Sequence, residues 1–146
     1  MTRPDFTPTR TAGLVRMAQF QPSMGQHYSN TRNHDYGPNN RSNLSALSPW
    51  VRNRLITEHE LASAALSRFS LSSAEKFVQE VCWRTYWKGW LQHRPTVWSD
   101  YLETRDEALD QVERNAGLRT AYEEAVEGRT GIAVFDAWSN ELPWPG

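Results

Sequence analysis

The strongest hydrophobic pattern in the chain lies between residues 73 and 93. On a helical wheel at about 100° per residue, apolar positions cover most of the circumference. Phe77, Val78, Val81, Cys82, Trp83, Tyr86, Trp87, Trp90 and Leu91 take part, and only Gln79, Glu80, Arg84, Thr85, Lys88 and Gly89 interrupt them. A helix apolar nearly all round belongs in the middle of a larger protein. Elsewhere the pattern predicts shorter helices with legible ends. Thr9 caps a helix through Phe20, which Pro22 stops. Residues 21–46 are rich in Asn, Ser, Gly and Pro and read as one long loop. Ser48-Pro49 reads as an N-cap followed by a helix to Arg54. Thr57 and Glu60 form a capping box for a helix to about Arg68, and Ser72 with Glu75 form a second one for the long helix. Beyond Pro95, helices are expected at about 96–104, 105–116, 118–127 and 132–142, with Gly117 as a stop and Gly128 to Gly131 as a turn. No alternating strand pattern of useful length occurs, so the fold class is all-α.

Composition narrows the chemistry. The chain has 146 residues, enough for one domain or part of one. Its formal charge of −1 neither favours nor excludes a nucleic-acid partner, so any basic site must be local. Cys82 is the single cysteine, which excludes an intrachain disulfide and a thiolate zinc site and fits a cytoplasmic protein. Met1 to Phe20 reads as neither a signal peptide nor a membrane span. The seven tryptophans are the unusual feature, three of them falling within eight residues, at Trp83, Trp87 and Trp90. Indoles pack in cores and also stack on planar ligands.

Three groups of residues could carry function. Glu80, Trp83 and Trp87 share one helix face, and Arg84 stands four residues from Glu80. They fit either a packed indole pair with a Glu80–Arg84 ion pair, or a wall beside a planar ligand that hydrogen-bonds the carboxylate. The run Asn43-Leu44-Ser45-Ala46-Leu47-Ser48-Pro49 puts two hydroxyls before a helix start, which suits either plain capping or a diphosphate. Tyr28 and Arg32 lie in the polar stretch, where they could meet phosphates or solvent.

Taken in order, these pieces resemble the FAD-binding helical domain of the cryptochrome/photolyase family. That family has a Y-x-x-x-R loop, a T-S-x-L-S-P segment, an E-x-x-W-R helix, and G-x-T-G followed by D-A. The counterparts are Tyr28 to Arg32, Leu44 to Pro49, Glu80 to Arg84, and Gly128 to Gly131 with Asp136-Ala137. Four landmarks in order are specific where one alone is weak, and the resemblance covers about residues 10–142. It implies an incomplete multi-helical FAD-binding domain spanning 1–146, with FAD and damaged DNA as partners. Tyr28 and Leu44, Ser45, Ala46, Leu47 and Ser48 would contact the FAD phosphates and ribityl chain. Glu80 and Trp83 would flank the flavin in the catalytic cavity. Arg32, Arg84 and Trp87 would face DNA. Leu44 replaces a hydroxyl residue and Ala46 stands where repair enzymes often carry a basic one. The family's later H-N-R segment and acidic flavin ligands have no counterpart, so a truncated domain, inactive alone, is the expectation. The alternatives are a non-catalytic remnant and a helical interaction domain without flavin.

Overall fold

A computed structural model of the chain describes residues 6–37 and 40–142. The described residues form helices and turns with no strand, an all-α fold. The first five residues of the chain, the Pro38-Asn39 part of the polar loop and the closing Pro143 to Gly146 lie outside the described residues. The chain divides into two compact units, Met1–Trp90 and Leu91–Gly146.

In the first unit, α1 (Arg10–Phe20) begins where the Thr9 hydroxyl accepts from the Ala12 N–H. It ends in a single 3-10 turn, Gln21–Ser23, that carries Pro22. The expected long loop over 21–46 is corrected here, because α2 (Gln26–Thr31) forms inside it. Its residues are weak helix formers, and tertiary packing outweighs that preference. Gly25 admits the Phe69 ring so closely that a Cβ would lie 2.7 Å from Phe69 Cδ1. Tyr28 then packs edge-on against Phe20 and Phe77, with ring centroids 6.1 and 5.3 Å away.

Next come α3 (Ser48–Arg52) and α4 (Glu58–Leu66). The Thr57–Glu60 capping box is present as expected. Glu60 also binds Arg10 through two nitrogens, which ties α4 to the start of α1. Ser48 is not the cap of α3. Leu47 holds that position, and no side chain bonds the free N–H groups there. The long helix α5 spans Leu71–Gln92. Its expected Ser72–Glu75 box is absent: Ser70 accepts from the Ser73 N–H, while the Glu75 carboxylate binds Gln79.

These elements enclose one core, in which Phe20, Met24, Leu47, Trp50, Ile56 and Phe77 are buried. Trp50 rests against Gly13, where a Cβ would lie 2.8 Å from the indole, and its N–H donates to the Thr7 carbonyl at 2.9 Å. Full burial of such an apolar side chain contributes about 1.5–3 kcal/mol. On α5, only Ala74 and Phe77 are buried. The later turns of the helix leave the core, and there Trp83, Tyr86, Trp87 and Leu91 are all exposed. Periodicity marks this helix as apolar nearly all round, yet the core covers one side of its first half, as far as Val81.

In the second unit, α6 (Thr96–Arg114), α7 (Ala116–Val126) and α8 (Ala133–Glu141) follow one another. The two helices expected across 96–116 are one, because no Gly or Pro interrupts Thr104 to Asp106. Gly117 is not a stop. The break comes at Asn115, whose side chain accepts from the Leu118 N–H and caps α7. None of these three helices contains a buried residue.

Candidate functional site

The first candidate residues are brought together by the packing of α2 on α5. Tyr28 sits against Phe77, one turn before Glu80 on α5. One turn after Tyr28, Arg32 reaches Glu80, with Nε 3.6 Å from Oε1. Its Nη1 donates to the Ser29 carbonyl, while the buried Nε has no hydrogen-bond partner. Burial, and then the nearby Glu80 carboxylate, raise the Tyr28 hydroxyl above its ordinary pKa, with Arg32 opposing them.

This geometry corrects the expected Glu80–Arg84 pair. Arg84 instead lies with Nε 3.4 Å from Glu58 Oε1 on α4, and Arg54 binds the other oxygen of the same carboxylate. A spacing of four residues allowed the local pair, but each group found a partner on another element. The Glu80 carboxylate is also not enclosed between two indoles on a buried face. Trp83 and Trp87 are about half exposed, at 53% and 50%. Trp87 makes edge contacts with Tyr86 and Trp90 along the same helix. An open hollow beside this helix is lined by Leu71, Glu75, Val78, Cys82 and Trp83 among others, all from α5. It includes Trp83 but not Ser45, Ser48 or Glu80.

The serine segment is held by two residues, Asn43 at its start and Arg16 on α1, to which the sequence assigned no contact. Asn43 is buried, and its amide donates to the Thr31 and His34 carbonyls, both at 2.8 Å. Those bonds fasten the segment to the end of α2, beside Arg32. Arg16 on α1 donates from Nε to the Ser45 carbonyl and from Nη2 to the Leu44 carbonyl, at 2.8 and 2.9 Å. Its guanidinium also lies over the Phe20 ring, 5.7 Å from the centroid. No sequence signal marks either residue, since both act on carbonyls distant along the chain. Leu47 is a core residue, so its side chain is committed to packing. Leu44 is exposed. Ala46 has φ of +52°, a backbone conformation that costs a non-glycine residue roughly 1–3 kcal/mol. The Ser45 and Ser48 hydroxyls have no partner among the described residues.

The fourth landmark is a built turn in the second unit. Asp136 Oδ1 accepts from the Thr130 N–H and hydroxyl, and Oδ2 accepts from the Gly131 N–H. The Thr130 hydroxyl is the main cause holding this carboxyl below its ordinary pKa. Gly128 and Gly131 have φ of +62° and +78°, which explains glycine at both positions.

The described residues therefore define a helical protein with a fastened serine segment, a half-buried tyrosine and an Arg–Glu pair in one unit. Over 135 residues, 92% of its length, the chain is 30% identical to a deoxyribodipyrimidine photo-lyase of Thermus thermophilus. It spans 30% of that protein. The similarity is photolyase-like. No family model and no solved structure matches the chain. Among the described residues, no helix is long and apolar enough to cross a membrane.

Proposed function

We propose that this chain is a flavin-binding helical module of the cryptochrome/photolyase type. One observation carries the proposal: three of the four landmarks are joined by direct contacts. Asn43 ties the serine segment to the end of α2, and Arg32 ties the end of α2 to Glu80. The order of landmarks along the chain thus corresponds to adjacency in space. Similarity to a photo-lyase over 135 residues supports the same assignment.

The residues fit the diphosphate end of FAD better than the ring end. Arg16 supplies a fixed cation beside Ser45, and the two serine hydroxyls are available to donate. Tyr28 would border this end. Near the ring, Glu80 is already paired with Arg32 and Trp83 stands half exposed, so that wall is only partly formed. Bound reduced FAD would supply light-driven electron transfer, the chemistry of the family. The chain's own residues would bind and orient it. Trp87 would offer a stacking surface toward damaged DNA, and Arg84 and Arg32 would offer cations once released from Glu58 and Glu80. A cytoplasmic location goes with this reading, in keeping with a chain that has a single cysteine. As an activity of this chain alone, repair is not proposed, because the chain matches 30% of the photo-lyase.

Purified protein should take up added FAD, read as quenched flavin fluorescence and a retained absorbance band. Ser48→Ala should weaken retention, and Glu80→Ala should alter the flavin spectrum more than the unfolding midpoint. Unchanged retention in the Ser48 variant would remove the phosphate assignment. A second reading, a helical interaction domain without flavin, is favoured by the exposed apolar faces of α6 to α8. Cooperative folding with no flavin uptake would select it.

A further inference from the structure

We propose that a second copy of this chain covers the exposed aromatic turns of α5, docking there through the aromatic and acidic surface of its own α6. This pairing does not depend on flavin.

Charge is divided between the two units. Residues 1–90 hold eleven Lys and Arg against six Asp and Glu, and residues 91–146 hold five against eleven. One unit is therefore net +5 and the other net −6, although the chain as a whole is −1. Each unit repels its like in a second copy and attracts the opposite one. Charge thus disfavours α5 against α5 and α6 against α6, and favours α5 of one copy against α6 of another.

The same division holds at the exposed apolar faces themselves. On α5, Trp83, Tyr86, Trp87 and Trp90 fall at helical spacing on one side. From Val81 to Gln92 the helix carries Arg84 and Lys88 and no acidic residue. Glu58 holds Arg84, while Lys88 has no carboxylate partner among the described residues. On α6, exposed Trp98 stacks on Tyr101 with ring centroids 5.5 Å apart, and Leu102 and Leu109 continue that side. Around the other side lie Asp100, Glu103, Asp106, Glu107 and Asp110. Arg105 and Arg114 bind Asp106 and Asp110, which still leaves the helix acidic. Docking of α5 on α6 of a second copy sets rings against rings and Lys88 beside carboxylates. An aromatic centre with a charged rim is the usual make-up of a protein interface. Each chain carries both halves, so a two-fold exchange between copies closes a dimer.

Sedimentation velocity of the full chain should show a mass above that of one chain, rising with concentration. It should fall back as salt approaches about 1 M, where charges are screened beyond about 3 Å. Lys88→Glu by itself, and Glu103→Lys with Asp106→Lys by themselves, should each weaken association about tenfold, because like charges then meet. An equimolar mixture of the two variants should recover it, since every contact in a mixed pair again joins opposite charges. Far-ultraviolet circular dichroism checks that each variant keeps its helices. If one does not, Trp98→Ala and the salt dependence decide: Trp98→Ala should weaken association without moving the unfolding midpoint of dilute monomer. A monomer at every concentration overturns the proposal. So does association that grows with salt, that Lys88→Glu leaves unchanged, or that is no stronger in the mixture than in its parts. None of the substituted residues has a part in the flavin reading, so FAD uptake and association stand or fall separately.

Discussion

The two units spend their aromatic residues differently. In residues 1–90, Phe20, Trp50 and Phe77 are buried, each at 3% exposure or less, and among the large exposed aromatics Trp83, Tyr86 and Trp87 stand on the later turns of α5. In residues 91–146, Trp98, Tyr101, Tyr122, Phe135 and Trp138 are exposed, at 41–65%. Both units are helical, and both have well-formed caps and turns. Local hydrogen bonding is therefore not what separates them. The difference lies in closure. The first unit brings α1, α3, α4 and α5 around Leu47, Trp50 and Ile56, while three successive helices in the second enclose no side chain. Helical content alone is a poor guide to where stability resides, because most helical stability in proteins comes from packing of an apolar face.

The largest expected effect is on local opening. Amides of α1 and α4 should exchange with solvent at least about a hundredfold more slowly than those of α6 to α8, since opening free energy follows burial. Equal protection across both units, measured by hydrogen-exchange mass spectrometry, would erase the contrast. Next in size is a pair of indole deletions. Trp50→Ala should cost about 3–5 kcal/mol in urea unfolding. Trp98→Ala, at an exposed site, should change stability by no more than about 0.5 kcal/mol.

Glycine substitutions sharpen the comparison further. Gly13→Ala gains helix propensity of about 1 kcal/mol but forces a Cβ into the Trp50 indole, an overpacking cost of about 1–3 kcal/mol. A net loss is expected. Gly89→Ala, with nothing within 4 Å on the uncovered length of α5, should instead stabilise by about 0.5–1 kcal/mol. Thermal unfolding midpoints should move in opposite directions.

The smallest effect is acid sensitivity. Glu60 is lowered from 4.5 to about 2, chiefly by its hydrogen bonds from Arg10 and then from Thr57. A depressed carboxyl favours the folded state above its unfolded pKa, and that contribution fades as pH falls from about 4.5 toward about 2. Glu60→Gln should flatten the pH dependence of stability in that window. Asp136 is lowered in the same direction, so Asp136→Asn should do likewise for the 130–136 turn. A Glu60 variant that keeps the wild-type pH profile would show that the Arg10 pair contributes nothing.

Features confined to a few consecutive residues are legible in the sequence itself. The Thr57–Glu60 box, the Thr9 cap, the stop at Pro22 and the glycines of the 128–131 turn all depend on groups within a turn of each other. Local rules mislead where two local solutions compete. Ser70 and Ser72 could both begin α5, and Ser70 does. Arg84 could reach Glu80, but Glu58 on α4 holds it instead. Helix α2 leaves no mark in the pattern because its polar sequence is a poor helix former, and contacts from other elements secure it: Tyr28 on Phe20 and Phe77, and Asn43 on the Thr31 carbonyl.

The sequence by itself determined the all-α class, most helix positions and the order of the four landmarks. Periodicity, capping and turn chemistry act over three or four residues and need nothing else. Only the tertiary structure decided that Arg32 meets Glu80, that Asn43 fastens the serine segment, and that Arg16 holds the Leu44 and Ser45 carbonyls. It also decided which side of α5 the core covers. Those contacts join groups 9 to 48 residues apart, and no local rule selects one distant partner over another until the helices have packed.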